Sequence, residues 1–85
     1  MITAKEALEL SMENENYKED LKRYRQLVDE SLREAAKEGL RKFEYIITGD
    51  YFSTIGTIIK KELWDNGFKV SNEESLTEYI LFISW

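Results

Sequence analysis

The chain contains no histidine, no cysteine and no proline. Without histidine and cysteine it lacks the commonest general base, the commonest transition-metal ligand and every thiol nucleophile. The same absence excludes disulfides and zinc sites, which support many small domains. The composition therefore favours binding or assembly over catalysis, and we expect no enzyme activity, no cofactor and no metal site.

Long hydrophobic runs are also missing. No stretch of about 18 apolar residues occurs, so no segment is expected to span a membrane, and the N-terminal residues do not resemble a secretion signal. The formal net charge of −5 argues against general nucleic-acid binding, which depends on neutralising phosphates. We therefore expect a cytoplasmic protein that has neither a membrane nor a nucleic acid as its partner.

The chain is rich in apolar and aromatic residues for its short length. Its 85 residues are 42% hydrophobic and include eleven aromatic residues. This content predicts one folded domain, residues 1–85, that is stabilised by apolar burial. Because a chain this short buries only about 60–65% of its unfolded surface, self-association would be an additional support.

Helical signals fill the first half of the chain. Thr3 and Glu6 fit a capping box at the start of a first helix, and the polar residues 13–16 predict a break after it. A second helix is expected from about Tyr17 to Glu38, ending at Gly39 in a left-handed terminator. Its apolar stripe has helical spacing and consists of Tyr17, Leu21, Tyr24, Val28, Leu32 and Ala35.

The second half combines strands with one helix. Residues rich in β-branched and aromatic side chains predict strands, and a helical pattern lies between the first two of them. The predicted elements are a strand over Phe43–Thr48, a helix capped by Asp50 or Ser53 that closes at residues 65–67, a strand over Phe68–Val70, a loop at residues 71–75, and a strand over Leu76–Trp85.

The last strand is apolar on both of its alternating sides, which indicates a central position in a sheet. The fold class is therefore α+β with the order α-α-β-α-β-β, in which three helices pack on a three-stranded, mostly antiparallel sheet of order 1-3-2. Either helices of the same chain cover the two apolar sides, or a second chain covers one of them. The candidate interface residues are Tyr79, Leu81, Ile83 and Trp85.

Basic residues give a second candidate site. Residues 17–42, which include the second helix, are the only segment with net positive charge, and with nearby tyrosines this helix could hold a phosphate or a base. The candidate anion-binding residues are Arg23, Arg25, Arg33, Lys60 and Lys61. Carboxylates lie three or four residues from several of these cations, for example Glu19 before Arg23 and Asp29 before Arg33. Such helix-surface pairs make a solvated charged face the stronger interpretation.

Two further features have structural readings that outweigh functional ones. The strand-to-helix turn at residues 49–54 could bind an anion at a helix N-terminus, but it lacks a glycine-rich loop, and Asp50 would repel phosphate. Glu73 and Glu74 could contact a divalent cation, but they lack the spaced oxygen ligands of a calcium site.

Four segments carry a resemblance in pattern: residues 2–7, a charged helix that ends at Gly39, a helix that leads into residues 66–70, and the terminal residues 83–85. In these segments the chain resembles the small accessory proteins of tailed bacteriophages and prophages of low-GC Gram-positive bacteria. The resemblance implies a protein that acts stoichiometrically, by inhibiting a host or defence protein, by sequestering a nucleotide signal or by assembling in the virion.

Together these observations predict a small cytoplasmic phage or prophage accessory protein that binds a host or defence protein and self-associates. The alternative is an oligomeric protein that sequesters a nucleotide-like anion.

Overall fold

Three helices and three strands follow one another as α-α-β-α-β-β in a computed structural model that describes residues 1–85. This order confirms the predicted α+β fold class. The elements are α1 (Ala4–Glu13), α2 (Glu15–Lys37), β1 (Lys42–Ile47), α3 (Phe52–Asp65), β2 (Lys69–Glu74) and β3 (Tyr79–Ser84).

The three strands form one antiparallel sheet of order β1-β3-β2, as predicted. In the register, Tyr45 and Asn72 lie on either side of Leu81. Because side chains alternate across a strand, this register fixes which residues share a face. The face that carries Leu81 is called the inner face here, and the opposite one the outer face.

Helices α2 and α3 both pack on the inner face, and the core lies between them and the sheet. Every residue of the predicted apolar stripe of α2 is buried. The remaining core residues come from α3 and from the inner sides of the strands: Ile55, Ile59, Leu63, Ile47, Val70, Tyr79, Leu81 and Ile83. Helix α1 contacts only α2 and contributes no buried residue.

The helix ends largely follow the predictions. The Thr3 hydroxyl accepts a hydrogen bond from the Glu6 N–H at 3.2 Å, as expected for the cap of α1. Asn14 separates the first two helices, and its side chain accepts from the N–H of Asn16 at 2.8 Å, so α2 begins at Glu15 rather than Tyr17. At the other end of α2, Gly39 has the predicted left-handed conformation, with φ of 85°.

Three predicted details are wrong. Helix α3 has Tyr51 at its N-cap and no side-chain cap, so neither Asp50 nor Ser53 fills that role. Strand β2 includes most of the residues predicted as a loop, because the backbone of residues 69–74 pairs with β3 along its whole length. Strand β3 begins three residues late, because the Ser75 hydroxyl accepts from the N–H groups of residues 77 and 78 and holds them in a turn.

Gly56 allows α3 to approach the sheet. It is the one glycine within a helix of this chain, and a Cβ at this position would overlap the ring of Tyr79 on β3. Glycine costs about 1 kcal/mol relative to alanine in a helix interior. Here the missing side chain is what makes room for a buried aromatic ring, and so the cost is offset by packing.

We therefore expect Gly56→Ala to lower the free energy of unfolding by roughly 1–2 kcal/mol, because an overpacking cost of up to about 3 kcal/mol exceeds the gain of about 1 kcal/mol in helix propensity. Urea denaturation followed by circular dichroism measures this difference. Lys61→Ala, at an exposed position of the same helix, should change stability by less than about 0.5 kcal/mol. A Gly56→Ala variant as stable as the wild type would show that Tyr79 does not fill this space.

Candidate functional site

The outer face of the sheet carries three large apolar side chains that no helix covers. Ile46 lies opposite Ile80 in the register, and Phe82 follows on the same side of β3. Ile46 is 51% exposed, and the other two are half-buried within the sheet. We call these three residues the sheet patch.

Charged and polar side chains frame the sheet patch. Glu73 lies beside Ile80 and Glu44 beside Phe82, whereas Lys42 and Lys69 flank Ser84 at the far end of the sheet. An apolar centre with a polar rim of both signs is typical of protein–protein contact surfaces. The arrangement offers apolar anchoring with charged groups around it and provides no reactive group.

Helix α1 presents a second uncovered apolar surface. At about 100° per residue, its charged residues fall on one side, and the rest of its circumference is apolar or small. Ser11 lies on the apolar side, but its hydroxyl donates a hydrogen bond to the Ala7 carbonyl of the same helix at 3.0 Å and so needs no other partner. Leu10 is 60% exposed, and Leu8 and Met12 are nearly half exposed. We call this surface the N-terminal arc, which consists of Ala4, Ala7, Leu8, Leu10, Ser11 and Met12.

The predicted interface residues lie elsewhere, which corrects the interface prediction for three of them. Tyr79, Leu81 and Ile83 face the helices of their own chain and are buried, with Leu81 at 0% exposure. Trp85 is half-buried, and its ring makes an edge contact with Phe68 at 6.0 Å between centroids. The uncovered side of β3 is the other alternation, to which Ile80 and Phe82 belong.

The five candidate anion-binding residues do not converge, and the arginines among them are paired with carboxylates. Arg33 contacts Asp29 at 2.8 Å as predicted, whereas Arg23 contacts Asp20 at 3.3 Å rather than Glu19. Arg25 on α2 contacts Glu62 on α3, with 3.0 Å between Nε and Oε1.

The two lysines stand apart from these pairs. The Lys60 ammonium donates to Asn72 on β2 at 2.7 Å, and Lys61 is exposed and makes no ion pair.

The Arg25–Glu62 pair borders an apolar groove of about 590 Å³ between α2 and α3. The hydrogen bond to Glu62 raises the pKa of the Arg25 guanidinium, and the bond to Asp29 does the same for Arg33. Both cations of the groove are therefore held by carboxylates of the same chain. The remaining lining is mostly apolar and includes Val28, Leu32, Ala36, Ile59, Leu63, Phe68 and Trp85.

A second groove, of about 530 Å³, lies between the C-terminal half of α2 and the start of β1. Glu30, Glu34 and Glu38 recur at every fourth residue along it, and none of them forms an ion pair. Leu40 and Phe43 add apolar surface beside them. The chemistry of this groove suits a basic side chain better than an anion.

The two minor candidates have structural explanations. In the turn at residues 49–54, the Phe52 N–H bonds to the Gly49 carbonyl at 3.3 Å. Glu73 and Glu74 are neighbours on β2 and point to opposite faces of the sheet, and Glu74 accepts a hydrogen bond from Ser53. The structure contains no group of three or more acidic side chains that could hold a metal ion.

No helix combines the length and the apolar character needed to cross a bilayer. No protein-family profile, curated protein or solved structure matches the chain significantly.

Sequence reasoning missed the three residues of the sheet patch and the N-terminal arc. Ile46 belongs to a strand whose two sides are both partly apolar, so the register with β3 is needed to place it beside Ile80. The N-terminal arc could have been predicted from the sequence, because the apolar residues of α1 recur with helical spacing. The sequence did not show that α2 would leave them uncovered.

One buried polar atom has no partner. The Tyr17 hydroxyl is shielded from solvent and makes no hydrogen bond, while the Tyr17 ring makes an edge contact with Tyr51 at 5.5 Å. Burial raises the pKa of Tyr17, an effect that the nearby Arg25 partly counters. Burial also raises the pKa values of Tyr45 and Tyr79.

We expect Tyr17→Phe to leave the free energy of unfolding unchanged or to raise it by up to about 1 kcal/mol, because it removes an unpaired hydroxyl and keeps the ring. Tyr24→Phe is the matched control, since the Tyr24 hydroxyl donates to the Thr48 carbonyl at 3.1 Å. That change should cost about 1 kcal/mol. Equal losses in both variants at pH 7 would mean that the Tyr17 hydroxyl has a partner.

The Tyr17→Phe variant also tests the pH dependence. Unfolded tyrosines ionise near pH 10, whereas burial raises the pKa of Tyr17 and so holds the proton on its hydroxyl in the folded state. The contribution of Tyr17 to the free energy of unfolding is therefore complete below about pH 10 and is lost as the pH rises through its higher folded pKa. Urea denaturation at pH 8 and pH 11 should show a smaller loss for Tyr17→Phe than for the wild type.

Proposed function

We propose that this protein acts in the cytoplasm by stoichiometric protein binding, without catalysis, and that the sheet patch is a docking surface. The observation that carries the proposal is the uncovered apolar centre formed by Ile46, Ile80 and Phe82. The outer faces of antiparallel sheets that stay in water are normally polar. Contiguous apolar side chains on such a face, with a polar rim, characterise interaction surfaces.

The size of the sheet patch indicates an anchor within a larger interface. Covering what remains exposed of three apolar side chains contributes on the order of 3 kcal/mol at about 25 cal/mol per Å². A micromolar complex needs about 8 kcal/mol. The occupant must therefore contact additional surface, such as the charged rim or another exposed apolar element.

The resemblance to small proteins of tailed phages and prophages supports this mode of action, because such proteins tend to act by inhibiting host or defence proteins stoichiometrically. Two kinds of occupant follow from it: a host or defence protein, and another copy of the chain. The unpaired glutamates of α2 would favour a partner with basic side chains.

Sequestration of a nucleotide-like anion is the other activity that the sequence suggests. The arginines proposed for it hold carboxylates of the same chain, so a phosphate would have to displace those partners. The geometry therefore supports protein binding better.

Accordingly, we expect linear and cyclic nucleotides at millimolar concentration to leave the melting temperature unchanged in a thermal-shift assay. A ligand that binds only the folded state raises this temperature, by an amount that grows with the logarithm of the ligand concentration above Kd. A concentration-dependent rise that disappears in Arg33→Ala would instead support anion binding.

Protein binding is tested by replacing the most exposed residue of the sheet patch. The immobilised protein is incubated with a mixture of cell extract and its own purified chain. We expect the Ile46→Glu variant to retain at most about 10% of the protein that the wild type retains, because docking would bury an unpaired carboxylate, which is costly. Quantitative mass spectrometry measures the retention.

The matched control is Leu76→Glu, which makes the same chemical change in the hairpin turn before β3, where the leucine is 96% exposed and outside the paired residues of the sheet. It should retain what the wild type retains. If Ile46→Glu and the wild type hold the same proteins in the same amounts, the sheet patch is not a docking surface.

A further inference from the structure

We propose that α1 from a second copy of the chain occupies the sheet patch, so that two chains exchange their N-terminal helices. This inference rests on the proposed function, because it names the protein that docks on the sheet patch. Its carrying observation is that one chain exposes both an apolar sheet face and an amphipathic helix that covers nothing.

Helix α1 lacks the tertiary support that short helices need. It has 10 residues, none of them buried, and it contacts no element except α2. Isolated helices shorter than about 12–15 residues are marginal in water. The N-terminal arc is therefore a surface whose burial would stabilise the helix that carries it.

The arc cannot reach the sheet patch of its own chain. Only Asn14 links α1 to α2, and its side chain is held by the N–H groups of residues 16 and 17 at 2.8 and 3.3 Å. Packed layers lie about 10 Å apart, so moving from the inner to the outer layer requires a shift of roughly 20 Å. A one-residue link spans less than about 4 Å. Contact between the two surfaces therefore requires two chains.

The two surfaces also match in size. A 10-residue helix is about 15 Å long, and six-residue strands are about 20 Å long. Three strands at about 4.8 Å spacing make a face roughly 14 Å wide, which one helix of about 10 Å diameter covers.

The buried area favours two reciprocal contacts between two copies of the chain over one isolated contact. A helix of this length on a sheet buries on the order of 300 Å² from each side. Two reciprocal contacts then bury roughly 1,200 Å² in total, the lower limit for stable interfaces. One contact alone would give only half of that, so exchange in both directions is what makes the dimer stable. Such an isologous pair closes by two-fold symmetry.

The absence of cysteine allows a direct test, because introduced thiols are the only ones present. We mix a Leu8→Cys chain with an isotope-labelled Ile46→Cys chain under mild oxidation and follow the mixed disulfide by intact-mass spectrometry. We expect it to form at least about tenfold faster than in two control mixtures, because a disulfide requires Cβ atoms about 4 Å apart. The controls are Glu9→Cys, on the charged side of α1, with Ile46→Cys, and Leu8→Cys with Leu76→Cys.

Sedimentation equilibrium gives an independent readout. We expect a wild-type dimer that both Leu8→Glu and Ile46→Glu convert to monomer, while Leu76→Glu remains a dimer. Since Leu8 contributes nothing to the core, circular dichroism should confirm that Leu8→Glu still folds.

The failures are distinguishable. In one outcome, Ile46→Glu dissociates the dimer, Leu8→Glu does not, and no mixed disulfide is preferred. This outcome would overturn the role of α1 and keep the sheet patch as a docking surface. A wild-type monomer at all concentrations would overturn the second copy as occupant, and the retention experiment with Ile46→Glu would then decide the proposed function separately.

Discussion

The sheet is covered by helices on one side only, and the remaining features of the surface depend on this constraint. α2 and α3 bury the inner side of β3, whereas α1 extends away from the sheet and covers nothing. On the outer face, β2 carries polar residues such as Ser71 and Glu73. On the other two strands apolar residues interrupt the polar ones, because Ile46 on β1 lies opposite Ile80 on β3 and Phe82 follows on the same side of β3. The apolar character of this face is thus concentrated on the central strand and at one position of the neighbouring edge strand.

Most of the topology could be predicted because one local signal had a clear physical meaning. A strand that is apolar on both sides belongs in the middle of a sheet, which gave the order β1-β3-β2. The same signal could not decide which side faces the helices, since both alternations are similarly hydrophobic. A clue was present in Gly56, because a glycine within an apolar helix marks a close approach of another element. Tyr79 makes that approach, so the side of β3 that carries Tyr79 faces the helices.

Predictions failed where a distant backbone or side chain decides the outcome. The polar composition of residues 71–74 resembles a loop, yet these residues form an edge strand because β3 supplies the hydrogen-bonding partners. Arg25 could not be assigned a partner from helix spacing, because Glu62 is 37 positions away on α3. The local pair of Asp29 and Arg33 was predictable for the opposite reason. Whether Arg25 was free to bind an anion therefore depended on a long-range pair that the sequence does not display, whereas Arg23 and Arg33 have partners on their own helix.

The energetics of α1 connect helix formation to binding. Nucleating a helix is unfavourable, and a partner that binds it must supply this free energy from the interface. Both ends of α1 reduce that cost, since Thr3 caps its start and the Asn14 N–H bonds to the Ser11 carbonyl at its end. Asn14 also caps α2, which makes the geometry of the junction part of the folded domain. The domain thus presents the helix in a largely pre-ordered form, and more of the free energy gained by covering the N-terminal arc remains available for association.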